Sequence, residues 1–248
     1  MTSITISLIV LACVFGGALL GLLLHAVLPQ HHLSSETKDI VMLGMGLVGT
    51  MAALVLGLLV ASAKGSYDAQ SAELTQMAAN IALLDRALGV YGPETKETRS
   101  LLRGAVVRYV DQMWSKDDAY RLAMPTGGEI LYEKVQALSP KNDAQRSIQS
   151  QALSTVVDMG KTRLLMHEQA MDAVSMPLLI VLVLWLTVIF ISFGLFAPFN
   201  VTAVSSLFLA ALSVSGAIFL ILEMYTPYVG VVQISDAPLR SVLANLGR

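Results

Sequence analysis

Charged residues are absent from three long stretches of the chain. The stretches cover residues 2–29, 40–63 and 173–222, and the last two are 24 and 50 residues long. A bilayer core of about 30 Å is crossed by roughly 20 apolar helical residues. The first two stretches can therefore hold one span each and the third can hold two, with Pro198 and Asn200 favouring a turn between them. We predict spans at about 4–28, 40–63, 177–197 and 201–224.

The four spans define the predicted fold class. Four strands cannot close a membrane barrel, so the spans must be helices. The first stretch has no Lys or Arg at its amino end and is longer than a signal-peptide core, which favours a retained span. We expect an all-α integral membrane protein with four transmembrane helices and a cytoplasmic helical bundle inserted between spans two and three. The predicted domains are spans one and two in 1–63, the cytoplasmic helical region in 64–175, spans three and four in 176–224, and a cytoplasmic tail in 225–248.

The segment between the second and third spans has the apolar spacing of amphipathic helices. Predicted helices cover residues 69–91, 94–115, 129–138 and 142–173. The first carries the apolar stripe Leu74, Met77, Ala78, Ile81, Leu84 and Leu88. The last carries two stripes, one of Ile148, Ala152, Val156, Met159 and Met166 and one of Leu153, Val157, Leu164 and Met171. Two stripes need two partners, so we expect one to pack within the chain and the other against another subunit.

Two junctions connect this segment to the spans. Between Ala63 and Ala69 only Gly65 weakens a helix, at a cost of about 1 kcal/mol, so the second span is predicted to continue as one helix. At the other junction, Pro177 is predicted to start or kink the third span.

The basic residues predict the orientation of the chain. Residues 64–172 hold 13 of the 16 Lys and Arg, and Lys64 lies directly at the end of the second span. Because basic flanks stay in the cytoplasm, both termini and residues 64–175 are expected on the cytoplasmic side. The same segment holds 14 acidic residues, which favours a solvated, near-neutral surface over a polyanion site.

Composition excludes several classes of protein. With 55% apolar and 14% charged residues, the chain is too hydrophobic for a water-soluble enzyme, and its net charge of −2 lacks the basic character of a nucleic-acid-binding protein. The single cysteine, Cys13, excludes an internal disulfide and is expected to be a small buried hydrophobe. No enzyme motif is present, so no catalytic residue, cofactor or metal centre is predicted.

The second span carries the most informative pattern. Gly49, Ala53, Gly57 and Ala61 place a small residue at every fourth position, which permits close helix approach in lipid. A second face, formed by Thr50, Leu54, Leu58 and Ser62, is polar only at its ends, as in a pore helix with an apolar constriction. The alternative is that the two hydroxyls bond back to their own helix. In the first span, Gly17 and Gly21 form a further packing motif.

Other candidate residues lie near the span ends. His31 and His32, with Glu36, are placed at the outer mouth, either as a weak metal-binding set or as a solvated pair. Glu223, at the end of the fourth span, is placed at the inner mouth, either as an ion-contacting group or as an interfacial cap.

Beyond the fourth span, Pro227 is expected to break the helix. Tyr225 and Tyr228 suit the headgroup level, and Asp236 is predicted to cap a short tail helix.

Two runs of residues resemble a known family. One is residues 43–68, from Leu-Gly-Met-Gly to Lys-Gly-Ser-Tyr-Asp, and the other comprises Phe219–Glu223, Pro227, Gly230, Gln233–Ser235 and Pro238–Leu239. The chain resembles the bacterial bestrophin-like membrane proteins over essentially its whole length. It departs from the family pattern at Tyr225, where an acidic residue is common.

The family name borrows from the bestrophins, which are oligomeric anion channels whose second span lines the pore. This chain shares that layout, but it has no aromatic residue between Ile40 and Ala63 and no compact acidic calcium-binding run. The resemblance therefore does not carry over anion selectivity or calcium gating.

The resulting hypothesis is a homo-oligomeric ion channel in the bacterial inner membrane. Its expected partners are other copies of itself, the lipid bilayer and small inorganic ions. The alternative is a membrane-anchored scaffold or sensor that acts through its cytoplasmic helices without conduction. An intramembrane enzyme is disfavoured, because Glu223 stands almost alone as a titratable group in the spans.

Overall fold

The computed structural model of the protein describes residues 2–29, 34–115, 117, 119–120, 128–171 and 175–247. All regular secondary structure in these residues is helical. The helices are α1 (Ser3–Val27), α2 (Ser35–Tyr91), a short 3₁₀ turn (Pro93–Thr95), α3 (Lys96–Met113), α4 (Gly128–Gln136), α5 (Asp143–Met171), α6 (Met176–Phe196), α7 (Val201–Met224) and α8 (Ala237–Asn245).

Four of these helices, α1, α2, α6 and α7, are long and apolar enough to cross a membrane, as predicted. The prediction that the second span continues as one helix is also confirmed, because α2 is unbroken from Ser35 to Tyr91. It begins before the charge-free stretch, since the Ser34 hydroxyl accepts a hydrogen bond from the Thr37 N–H at 3.3 Å. Apolarity marks the span, whereas the cap marks the start of the helix. Pro177 lies in the first turn of α6, where proline is favoured.

The chain divides into two compact units. One, here called the apolar unit, comprises Met1–Gly65 and Ala173–Tyr225. The other, the polar unit, comprises Ser66–Asp172 and Thr226–Arg248.

In the apolar unit, α1 packs closely on α6 because small residues face each other. A Cβ added to Gly21 would lie 2.1 Å from the Ile191 carbonyl oxygen, and one added to Gly194 would lie 2.0 Å from the Ala18 carbonyl oxygen. The packing motif predicted in the first span is therefore used within the chain. Nearby, the His25 Nδ1 lies 2.8 Å from the Leu195 carbonyl oxygen.

Substituting Gly21 by Ala is expected to lower the free energy of unfolding by about 1–3 kcal/mol, because the methyl group would overlap the α6 backbone. Gly16 is the matched control, since a Cβ there meets no atom within 4 Å. Thermal unfolding in detergent of both variants measures the difference. Equal unfolding temperatures for Gly21→Ala and Gly16→Ala would contradict the close approach of α1 and α6.

The polar unit has its own core, built from the predicted stripes. All six stripe residues of α2 are buried, and so are Ala152, Val156 and Met166 of α5. The second α5 stripe is more open, with Val157 and Leu164 42% and 50% exposed. A partner for this second stripe stays a prediction.

An ion pair links α2 to α3 at the edge of this core. The Arg99 Nε and Nη2 donate to the two carboxylate oxygens of Asp85 at 2.7 and 2.8 Å, and the Gly247 N–H approaches the same carboxylate at 3.4 Å. The hydrogen bonds from Arg99, assisted by Gly247, hold the pKa of Asp85 below its ordinary value, although burial opposes the shift.

A lowered pKa means that the ionised Asp85 stabilises the fold above about pH 4 and that this contribution disappears as the pH falls further. We expect Asp85→Asn to lower the free energy of unfolding near neutral pH by about 2 kcal/mol, as for a lost charged hydrogen bond. The difference between the two proteins should shrink below about pH 4. Denaturant titrations followed by tryptophan fluorescence at several pH values measure it, and a difference independent of pH would contradict this role of the ion pair.

Two expectations from the sequence are wrong in detail. Cys13 is exposed on α1, because an apolar residue in a span can face lipid instead of the protein core. Asp236 precedes α8 but makes no side-chain cap, since its carboxylate pairs with Arg240. Tyr228 is 4% exposed within the polar unit, where its ring packs edge-on against Trp114 at 5.5 Å, and its depth relative to the membrane stays a prediction.

Candidate pore-lining face

Within the apolar unit, α2 uses little of its surface for contacts within its own chain. Its buried residues, Ala52, Leu59 and Ala63, recur at a spacing that keeps them on one side of the helix. Only 11% of its most apolar 18-residue window is buried, compared with 39% for both α1 and α6. The remaining surface of α2 is open to lipid or to another chain.

The predicted pore-lining residues all lie on this open surface. Leu54 and Leu58 are 75% and 61% exposed, and Thr50 and Ser62 are exposed as well. The Thr50 hydroxyl donates to the Leu47 carbonyl of its own helix at 2.7 Å, as the back-bonded alternative expects, and whether Thr50 also faces a pore stays a prediction.

The Ser62 hydroxyl has a partner outside its own helix. It lies 3.0 Å from the hydroxyl of Tyr225, the residue that follows α7. This pair joins the end of the fourth span to α2. No local sequence pattern indicates this pair, since 163 positions separate the two residues.

The small-residue face of α2 is also open. A Cβ built on Gly49 or Gly57 would meet no atom within 4 Å, and Ala53 and Ala61 are exposed. This contrasts with Gly17 and Gly21 of α1, whose close partners lie in the same chain. The close-approach surface predicted on the second span therefore has no occupant among the described residues of its own chain.

The two open faces adjoin each other. Successive residues of an α-helix are about 100° apart, so Gly57 and Leu58 point in directions separated by roughly a quarter turn. The helix thus presents a narrow, flat side next to a side that is apolar in the middle and hydroxyl-bearing at its ends. Such a helix can pack against a copy of itself on one side while the other side stays free.

The other predicted site residues lie near the ends of the spans. Glu223, one residue before the end of α7, is 4% exposed. Glu36 is exposed in the first turn of α2, and His31 and His32 lie outside the described residues. In the part of the chain that the structure describes, no group of three or more His, Cys, Asp or Glu side chains could hold a metal ion.

The polar unit contains buried polar groups that the sequence did not single out. The Gln169 Nε2 donates to the Glu73 Oε1 at 2.8 Å, while the second carboxylate oxygen of Glu73 and the Tyr228 hydroxyl are buried without a hydrogen-bond partner among the described residues. Burial raises the pKa of Tyr228 well above its ordinary value. Helical spacing does not distinguish these positions from other positions of the helices. The one signal in the sequence that could have found them is a polar residue within an apolar stripe.

Comparison with known proteins supports the membrane assignment. The chain matches the Bestrophin-like domain over residues 12–239, which includes all four helices able to cross a membrane for most or all of their lengths. No curated protein and no solved structure matches it. Since the match covers most of the chain, this membrane protein belongs to the bestrophin-like family.

Proposed function

We propose that the protein is the subunit of a homo-oligomeric ion channel, which conducts small ions through a central pore lined by the second span. The observation that carries this proposal is that two adjoining faces of α2 are left open by its own chain. One of them is the small-residue face, and the other holds Thr50, Leu54, Leu58 and Ser62.

A ring of identical helices around an axis uses two such faces. Each helix turns one side toward the axis and an adjoining side toward its neighbour, and closed rings of this kind are common among oligomers. Small residues on the neighbour-facing side let the backbones approach. The faces of α2, about 100° apart, match this requirement.

In this arrangement the pore has an apolar constriction flanked by hydroxyl groups. Leu54 and Leu58 form the constriction, and Thr50 and Ser62 lie one turn beyond it at either end. Apolar constrictions gate by losing water, so the pore opens when these leucines move apart. Glu223 lies near the inner mouth, and His31, His32 and Glu36 lie near the outer mouth.

The proposed orientation follows the basic residues. The amino end, residues 64–175 and the tail lie in the cytoplasm of a bacterium, and the spans cross its inner membrane. The lipid bilayer and other copies of the chain are its partners, together with the ions it conducts.

Reconstitution of the purified oligomer into planar bilayers with unequal salt solutions tests the proposal. We expect discrete currents whose reversal potential identifies the permeant ion. An intact oligomer that gives no current over a range of pH, voltage and calcium concentration would contradict conduction. Co-purification of a partner protein with such a silent oligomer would favour a membrane-anchored scaffold or sensor.

A further inference from the structure

The polar unit contains a cavity of about 670 Å³ between α2, α3, α4 and α5. Small-molecule sites typically measure about 300–1,000 Å³. Its wall is largely apolar and includes the buried side chains of Met77, Ile81, Leu102, Val106, Leu131 and Val156. A cavity of this size and lining suits a ligand with a long aliphatic part, because burial of such a chain is favourable at each CH₂ group.

The deepest charged group in the wall is the guanidinium of Arg163. Arg163 is half-buried on α5, and its Nη1 lies 3.0 Å from the position that a Cβ of Gly128 would occupy. Gly128 is the first residue of α4, so the positive end of that helix dipole adds to the charge of Arg163. Neither Arg163 nor Arg108, the second arginine of the wall, forms an ion pair within the described ranges of the chain.

A hydroxyl donor, that of Tyr109, also lines the cavity close enough to Arg163 to feel its charge. The Tyr109 hydroxyl donates to the Met166 Sδ at 3.5 Å, and a thioether is a weak acceptor that a better one can replace. Burial raises the pKa of Tyr109 well above its ordinary value, so the hydroxyl keeps its proton at any physiological pH.

Two carboxylates, Glu129 and Glu133, also line the cavity, but both residues are exposed. Charges near water are screened more strongly than a half-buried charge. Among the charged residues of the wall, Arg163 is therefore the least screened, and the Tyr109 hydroxyl feels both its charge and that of Glu73, which lies outside the wall.

From this geometry we propose that the cavity binds a single-chain amphiphile with an anionic head, specifically the carboxylate form of a long-chain fatty acid. The head accepts hydrogen bonds from the Arg163 guanidinium and the Tyr109 hydroxyl, since a guanidinium can hold both oxygens of a carboxylate. Arg108 attracts the head at the mouth, and the aliphatic chain packs against the apolar wall. This site does not depend on whether the protein conducts ions.

Titration of the full-length protein in lipid nanodiscs with cis-parinaric acid, a fluorescent fatty acid, tests the proposal, with empty nanodiscs as the reference. We expect one saturable site per chain. Oleate should displace the probe at concentrations about tenfold lower than the neutral oleyl alcohol, as for one charged hydrogen-bonded contact. The proposal would be overturned if the protein showed no saturable binding beyond that of the empty nanodiscs. It would also be overturned if oleate and oleyl alcohol displaced the probe equally well.

Two variants with matched controls locate the site. Arg163→Gln is expected to weaken binding about tenfold, whereas Lys161→Gln, at an exposed residue of the same helix, should leave it unchanged. Gly160 lines the cavity, and a Cβ there meets no atom within 4 Å, so Gly160→Leu should fill the space and abolish binding. The control for size is Ala144→Leu, at an exposed position of α5 outside the cavity wall. Full affinity in Gly160→Leu, with an unchanged unfolding temperature, would place the fatty acid elsewhere and overturn the proposal.

Discussion

A positively charged thiol reagent is expected to block about nine-tenths of the current through a channel that carries Leu58→Cys. Leu58 is 61% exposed on the face of α2 that is proposed to surround the pore. A charged adduct at an apolar constriction both narrows the passage and repels cations, so a small number of modified subunits suffices. The measurement is the fraction of current lost in planar bilayers after addition of a methanethiosulfonate ammonium reagent.

The native Cys13 is replaced by Ser in this experiment, because it is the only cysteine of the chain and it is exposed. Val60→Cys is the matched control. Val60 is 40% exposed, but it lies two residues after Leu58 and therefore points about 200° away from it around the helix axis. Equal block of the two variants would contradict the assignment of the pore-facing side.

Gly57→Leu is expected to weaken assembly strongly. A leucine side chain on the small-residue face keeps neighbouring copies of α2 apart, and overpacking typically costs about 1–3 kcal/mol at each contact. We therefore expect the concentration at which the oligomer dissociates to rise about 10- to 100-fold. Light scattering of the purified protein at decreasing concentration, with correction for detergent, measures this change.

Gly16→Leu serves as the control for this variant. Gly16 also lies on an apolar helix with open space around it, but on α1. The Gly57→Leu chain should keep its own fold, because a Cβ at Gly57 meets no atom of that chain within 4 Å. An oligomer of unchanged stability in Gly57→Leu would show that copies of α2 do not meet along this face.

The fold follows largely from features of the sequence that act over short distances. A charge-free stretch of 20 or more residues predicts a span because the bilayer offers no partner for charged or backbone polar groups. The stripe from Leu74 to Leu88 predicts a buried helix face, because helical periodicity places these apolar residues on one side of the helix. The absence of a helix breaker after Ala63 predicts that α2 is continuous.

Features that depend on distant residues could not be predicted in this way. Nothing in the local sequence indicates that Tyr228 packs on Trp114, or that Ser62 meets Tyr225. Cys13 shows a different limit, since an apolar residue in a span can face either protein or lipid and periodicity does not distinguish the two. The cavity proposed to bind a fatty acid combines residues of four helices, and Arg163 has the sequence pattern of an ordinary surface residue.

We expect several copies of α2 to surround a common axis that water can fill. Electron-microscopy class averages of the purified particle, viewed along the membrane normal, would show this arrangement. We predict a cyclic ring of subunits with low density on the axis and a continuous helix from each subunit beside it. A single protomer, or a ring whose axis is filled by side-chain density along the whole length of the spans, would contradict it.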